Sequence, residues 1–215
     1  MSWLAAALLA LFGYLLGSIP SGLLLGRVIG GVDVRRQGSG NIGSANVYRS
    51  AGRPAAALTL AADLLKGALP VILARAFGLP LWVSLLAGLC AVIGHNWSLY
   101  LHGRGGKGIA TSLGVLAALA PLAALIAAAI WLVVLKLSRY ASLASLAMLA
   151  AAPLLLALFG HATAYWVFGL ILLVLAIARH RANLRRLLAG TELKLDGDAG
   201  SSPAPVSEAG AADGE

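Results

Sequence analysis

Residues 38–52 read GSGNIGSANVYRSAG and gather glycines, small neutral donors and one arginine into fifteen positions. Glycines expose backbone N–H groups and let an anion approach the chain closely. Ser39, Asn41, Ser44 and Asn46 add donors, and Arg49 supplies a planar fork suited to phosphate. Gly38, Gly40 and Gly43 also match G-x-G-x-x-G, with Asp63 at about the spacing of a ribose-binding acid. A dinucleotide site needs a strand before the glycines and a βαβ unit around them. Here long apolar runs flank the glycines and Asp63 lies inside the second, so only the anion-cradling chemistry survives. A second stretch, GHNWSLYLHGRGGKGIATSLG at 94–114, sets Gly105-Gly106-Lys107-Gly108 directly before an apolar helix. It is not a Walker A loop, because Gly108 follows Lys107 and Leu101 stands six residues before it. Free N–H groups at a helix start beside a lysine still make an anion site. A third stretch, RHRANLRRLLAGTE at 179–192, offers His180 and Asn183 as selective contacts, while Arg181, Arg185 and Arg186 suit anionic headgroups of membrane lipids.

What is missing narrows the chemistry. None of the four histidines begins an H-x-x-x-x-D motif, there is no G-x-S-x-G, and the loops hold no carboxylate pair. Cys90 is the single cysteine, which leaves no thiolate metal site. The polar stretches can hold two anions and contain almost no general base.

The elements that position these stretches are membrane spans. Hydrophobic residues make up 60% of the 215-residue chain and charged ones 11%, with mean hydropathy +0.89, against about 25% charged in soluble domains. Up to Thr191 the chain carries fifteen Lys/Arg and two acids, whereas 192–215 carry six acids and one Lys. The three basic stretches therefore face the cytoplasm and the N-terminus lies outside. No nucleic-acid partner is expected. Apolar segments run near 3–28, 55–77, 80–101, 109–135, 140–159 and 162–178, without strand-like alternation. Between the second and third basic stretches the chain must cross an even number of times, which three segments do not satisfy. Breaking 109–135 near Pro121 restores the parity, with two helices too short for both to span fully, since 27 residues reach about 40 Å. The expected class is an all-α bundle of seven transmembrane or partly spanning helices, with five spans as the rival, the N-terminus outside and the C-terminus cytoplasmic. Residues 1–195 form the membrane domain, and 196–215 read as a disordered acidic cytoplasmic tail. Asp63 and Lys66 share a helix face at i, i+3 and are expected to pair. Gly17-Ser18-Ile19-Pro20-Ser21-Gly22 breaks the first span, either for close helix approach or to line a pocket with freed backbone groups.

Taken in order, GSIPSG, GSGNIGSANVYRSAG, ADLLKGALP, GHNWSLYLHGRGGKGIATSLG and RHRANLRRLLAGTE resemble the bacterial acyl-phosphate:glycerol-3-phosphate acyltransferase family of the PlsY type, over about nine-tenths of the chain. The resemblance implies a seven-helix inner-membrane enzyme with its site facing the cytoplasm. Such an enzyme moves a fatty acyl group from acyl phosphate to the 1-hydroxyl of sn-glycerol 3-phosphate, releasing lysophosphatidic acid and phosphate without metal or cofactor. A soluble enzyme that makes acyl phosphate is the implied protein partner. By the same resemblance Ser39, Gly40, Asn41 and Gly43 hold acyl phosphate, with Ser44 and Asn46 as further donors beside them, and Arg49, Lys107, His180 and Asn183 hold glycerol phosphate. Residues 140–145 match a family pattern less distinctly, and the expected topology starts a helix there at the cytoplasmic face, within reach of the site for Ser142 or Ser145. Arg49 and Lys107 also stabilise developing charge. The family commonly has Ala-Thr-Asn where this chain has Ser44-Ala45-Asn46, so a hydroxyl is displaced by one position. With no loop carboxylate pair, the departing phosphate is the expected proton acceptor, and His180 or His95 is the protein alternative. The competing function is a transporter or channel for phosphate-like anions, which would carry inverted repeats and binding groups near mid-membrane.

Overall fold

The computed structural model describes residues 2–195, so the expected acidic tail at 196–215 lies outside the described residues. The described residues contain helices and short turns and no strand. Helices α1 (Ser2–Ser18) and α2 (Ser21–Gly30) are one apolar span broken at Ile19-Pro20. After loop 31–43 come α3 (Ser44–Ala76), α4 (Leu81–Asn96), α5 (Ile109–Leu119), α6 (Pro121–Ser138), α7 (Ala141–Leu158), α8 (Thr163–Arg179) and α9 (Arg181–Leu188). Five segments are long and apolar enough to cross a bilayer: α1 with α2, α3, α4, α6 and α7. The α8–α9 pair, bent by 65°, makes a sixth, and the short apolar α5 completes seven. The seven-helix expectation therefore holds, with the break at Ala120 one residue before Pro121, which opens α6 where a proline costs no hydrogen bond. Across this break Arg75 Nη1 donates to the Ala118 and Leu119 carbonyls at 2.6 and 3.3 Å, satisfying the open end of α5.

Small residues let the helices touch backbone to backbone. Gly13 and Gly17 pack α1 on α4, where a Cβ at Gly17 would lie 2.1 Å from the Ala91 carbonyl oxygen. Gly67 and Gly114 bring α3 onto α5 in the same way. Lipid is as apolar as leucine, so close packing and buried polar contacts, not water exclusion, hold such helices together. One of those contacts is the expected ion pair: Lys66 Nζ is 2.8 Å from Asp63 Oδ1, with both side chains at most 4% exposed. The same ammonium donates to the Ile19 carbonyl at 2.9 Å. The break in the first span thus hands a freed carbonyl to a buried lysine. Replacing Lys66 by Met would strand both the Asp63 carboxylate and that carbonyl, at a cost of about 3–5 kcal/mol. Thermal unfolding in detergent should show a clear loss of stability for K66M; an unchanged midpoint would mean the pair contributes nothing.

α1 and α4 run parallel, with the Trp3 and Trp82 rings 4.9 Å apart at one end. The N-terminus therefore sits at the opposite end of the bundle from loops 31–43, 97–108, 139–140 and 180–193. Those four loops share one end, and the candidate site lies among them.

Candidate active site

Loop one is built by its own side chains. Asp33 accepts from Arg27 and Arg35, and the Arg35 bond above all holds its carboxyl well below the usual range. Asn46 Oδ1 accepts from the Ser39 N–H at 2.8 Å, while its Nδ2 donates to Val34 O and Gln37 O. The loop turns through Gly40 at φ +68°, a conformation that suits glycine. Asn41 Oδ1 accepts from the Gly43 N–H at 2.8 Å, and Gly43 is the N-cap of α3. The first N–H groups of α3, at Ser44 and Ala45, thus open toward the site.

Loop two does the same for α5. Gly108 is its N-cap at φ +75°, where a Cβ would lie 2.7 Å from Asn96 Oδ1. Two helix N-termini, at Gly43 and Gly108, converge on one cavity of about 290 Å³. Between them stand Arg49 and Lys107. Arg49 Nε is buried and has no hydrogen-bond partner among the described residues. Lys107 Nζ donates to Asn183 Oδ1 at 2.6 Å. Burial lowers the Lys107 ammonium to about 8, against the pull of Glu192, with Arg186 and Arg49 adding to the descent.

Loop three closes the cavity. His180 is 1% exposed, and its Nδ1 lies 2.8 Å from the Ala176 carbonyl oxygen. A carbonyl can only accept, so Nδ1 carries the hydrogen and Nε2 is left as an acceptor. Asn183 Nδ2 donates to Glu192 Oε1, and Arg186 Nε donates to Glu192 Oε2 at 2.8 Å. Burial alone would raise the Glu192 carboxyl, but the bonds from Asn183 and Arg186 outweigh it and hold it below its ordinary value.

Of the candidates read from the sequence, Ser39, Asn41, Gly43, Ser44, Asn46, Arg49, His95, Lys107, Ser142, Ser145, His180 and Asn183 all line this cavity. Gly40 does not; its N–H donates to Gln37 O at 2.9 Å and it shapes the turn. Several wall residues are already engaged within the protein, Asn183 through both its polar atoms. The polar atoms of Asn46 bond loop backbone, as above. Ser145 Oγ donates to Ala141 O at 2.6 Å and accepts from Trp131 Nε1 at 3.2 Å. Sequence reasoning missed three others on the wall: Asp63, Arg186 and Glu192. Glu192 had been grouped by charge with the acidic C-terminal stretch, although it also closes the RHRANLRRLLAGTE motif, the signal that could have found it. Asp63 stands 3.7 Å from His95 Nδ1, so the scarcity of carboxylates noted in the loops does not extend to the cavity. Below the polar groups the wall turns apolar through Leu60, Leu64, Leu113, Trp131, Leu132 and Met148. Leu60 and Leu132 are exposed on the outer surface of the bundle, so this groove opens sideways toward lipid.

Because the substrate-free Lys107 loses its proton as pH rises through about 8, binding of a phosphorylated substrate that needs the ammonium should be full below that pH and fall above it. The profile of kcat/KM, which reports the free enzyme, should show this alkaline limb in the wild type. Lys107→Arg, which stays charged, should move the limb upward; an identical limb in both would assign it to another group.

These features define an all-helical, polytopic membrane protein with a basic pocket that continues into an apolar, lipid-facing groove. The chain belongs to the glycerol-3-phosphate acyltransferase family, whose model matches residues 7–190. It is 49% identical over 193 residues to a glycerol-3-phosphate acyltransferase of Rubrobacter xylanophilus, covering 90% of this chain and 96% of that protein. It is 47% identical over 192 residues to one of Desulforudis audaxviator, covering 89% and 96%. The crystal structure of PlsY, an integral membrane glycerol 3-phosphate acyltransferase, in its glycerol 3-phosphate form superposes with a TM-score of 0.81 at 40% identity, covering 88% of this chain and 94% of that one. The lysophosphatidic acid form gives 0.82 at 39% identity, with the same coverage. Membership in this family displaces the anion-transporter alternative.

Proposed function

We propose that this membrane acyltransferase moves a fatty acyl group from acyl phosphate to the 1-hydroxyl of sn-glycerol 3-phosphate, giving lysophosphatidic acid and inorganic phosphate. The observation that carries the reading is the convergence of two helix N-termini, Arg49 and Lys107 on one cavity that runs on into an apolar groove. Two phosphoryl groups and one acyl chain are what such a cavity fits.

In this reading the loop of Ser39, Asn41, Gly43 and Ser44 receives the donor's phosphate at the start of α3, and the chain lies along Leu64, Leu113 and Trp131. Arg49, Lys107, His180, Asn183 and Ser142 receive glycerol phosphate. Asn46, Ser145 and Gly40 hold the walls in shape. Ala45 presents only a backbone N–H, and the neighbouring Ser44 hydroxyl provides the side-chain donor.

Acyl phosphate is a mixed anhydride and already activated, so the protein has mainly to align two anions and neutralise developing charge. The 1-hydroxyl oxygen attacks the acyl carbonyl, the bond from that carbon to the phosphate oxygen breaks, and the departing phosphate takes the hydroxyl proton. His180 Nε2, free to accept, orients the hydroxyl. Loss of about 10⁴-fold in kcat for His180→Ala, with glycerol-phosphate binding intact, would place the proton on the protein instead.

The positive-inside pattern of Arg27, Arg35, Arg36, Arg104, Lys136, Arg181 and Arg185 supports a bacterial inner-membrane protein whose site faces the cytoplasm. A water-soluble enzyme that makes acyl phosphate would then deliver the donor to this face. Purified protein supplied with palmitoyl phosphate and sn-glycerol 3-phosphate should yield 1-acyl lysophosphatidic acid. Absence of product across donor chain lengths would refute the proposal.

A further inference from the structure

Arg179, the last residue of α8, does not line the cavity, yet it is the residue that fastens loop two. Its Nε donates to the Gly106 carbonyl at 2.9 Å and its Nη2 to the Gly105 carbonyl at 3.0 Å. Its guanidinium carbon lies 5.5 Å from the centroid of the Trp97 ring, close enough for cation–π attraction. The opposite side of the loop is held by His95. The Gly106 N–H donates to the His95 carbonyl at 2.8 Å, and a Cβ at Gly106 would lie 2.1 Å from His95 Nε2. The loop is therefore clamped between an imidazole and a guanidinium.

The clamp has an electrostatic consequence. Backbone carbonyls near an anion site repel the anion. Here two consecutive carbonyls are turned onto a cation and away from the cavity, which Lys107 and Gly108 line. The next residue in the chain is His180, and Asn183 three positions on accepts from Lys107. One side chain thus joins the loop that bears Lys107 to the segment that bears His180 and Asn183.

We infer that Arg179 is a positioning residue that sets Lys107 against His180 and Asn183 and thereby determines affinity for glycerol 3-phosphate. The inference rests on the proposed glycerol-phosphate subsite. Arginine is required because its rigid planar fork reaches two successive carbonyls while its flat face lies on Trp97; a lysine ammonium has donors enough for both carbonyls but no planar face to stack on the ring and no fork to fix the spacing.

The test compares Arg179→Lys, Arg179→Gln and Trp97→Leu with the wild type, measuring KM for each substrate, kcat and thermal stability in detergent. Both Arg179 variants should raise KM for glycerol 3-phosphate about tenfold or more, as loss of charge-assisted bonds does, with KM for acyl phosphate little changed and a smaller fall in kcat. Trp97→Leu, which leaves the guanidinium in place, should shift KM for glycerol 3-phosphate in the same direction by less. A wild-type KM in Arg179→Lys would show that charge alone suffices and would overturn the inference. So would a parallel rise in both KM values, which means general loosening. Failure of the wild type itself to acylate glycerol 3-phosphate would refute the proposed function instead, so the two failures are separable.

Discussion

Arg49→Ala should abolish most acyl transfer and leave the protein as stable as the wild type, or more so. Its Nε is buried without a partner, so the folded protein bears the cost of desolvating a donor that no internal acceptor repays. In the proposed function that unpaired donor faces the phosphate of the substrate. Removing a charged donor aimed at developing charge in a closed site costs about 10²–10³-fold in rate. The expected result is that loss in kcat/KM for glycerol 3-phosphate, with an unfolding midpoint at or above the wild-type value, the usual trade between stability and activity at a prepared site. A large fall in stability would show that Arg49 holds the fold instead.

Glu192→Ala should do the opposite to stability and the same to activity. Its carboxylate is 5% exposed and ties together Asn183, Arg186 and the end of α9. Truncation would leave Asn183 Nδ2 and Arg186 Nε without their shared acceptor and remove a negative charge that offsets the nearby Lys107 and Arg49. Breaking a fully buried pair costs about 3–5 kcal/mol. Arg186 is 36% exposed, so solvent screening reduces this to about 2–3 kcal/mol. The expected result is a lower unfolding midpoint together with a raised KM for glycerol 3-phosphate. Glu192→Gln keeps one acceptor and should fall between the two. If the Ala variant matched the wild type in both measurements, the carboxylate would be a bystander.

The contrast between these two residues marks what the sequence could and could not reveal. Arg49 was legible because it sits among glycines and small donors, a local pattern whose chemistry does not depend on the fold. Lys107 was legible for the same reason. The break at Ala120 followed from parity: basic loops must return to one face, and Pro121 is where a helix can restart. Glu192, in contrast, takes its meaning from Asn183 and Arg186 across a turn of the chain. Among six acids with one lysine, charge counting assigns it to the tail. Asp63 was read correctly as the partner of Lys66, yet its place beside His95 on the cavity wall depends on how α3 meets α4. Asn46 and Ser145, which line the cavity as expected, show a different limit. Both have the right chemistry for a ligand, but their polar atoms are largely taken up by Ser39, Val34 and Gln37 in one case and by Ala141 and Trp131 in the other. Residue type identifies what a side chain can bond, and only the packed structure shows whether those bonds are already made.

The central claim is that this cavity joins a phosphate-activated acyl group to glycerol 3-phosphate. The most direct measurement gives the purified protein equal concentrations of palmitoyl phosphate or palmitoyl-CoA with glycerol 3-phosphate, and follows lysophosphatidic acid and inorganic phosphate together. The account predicts product only from the acyl phosphate, with one phosphate released per lysophosphatidic acid formed. Comparable product from the thioester, or phosphate released without acyl transfer, would contradict it.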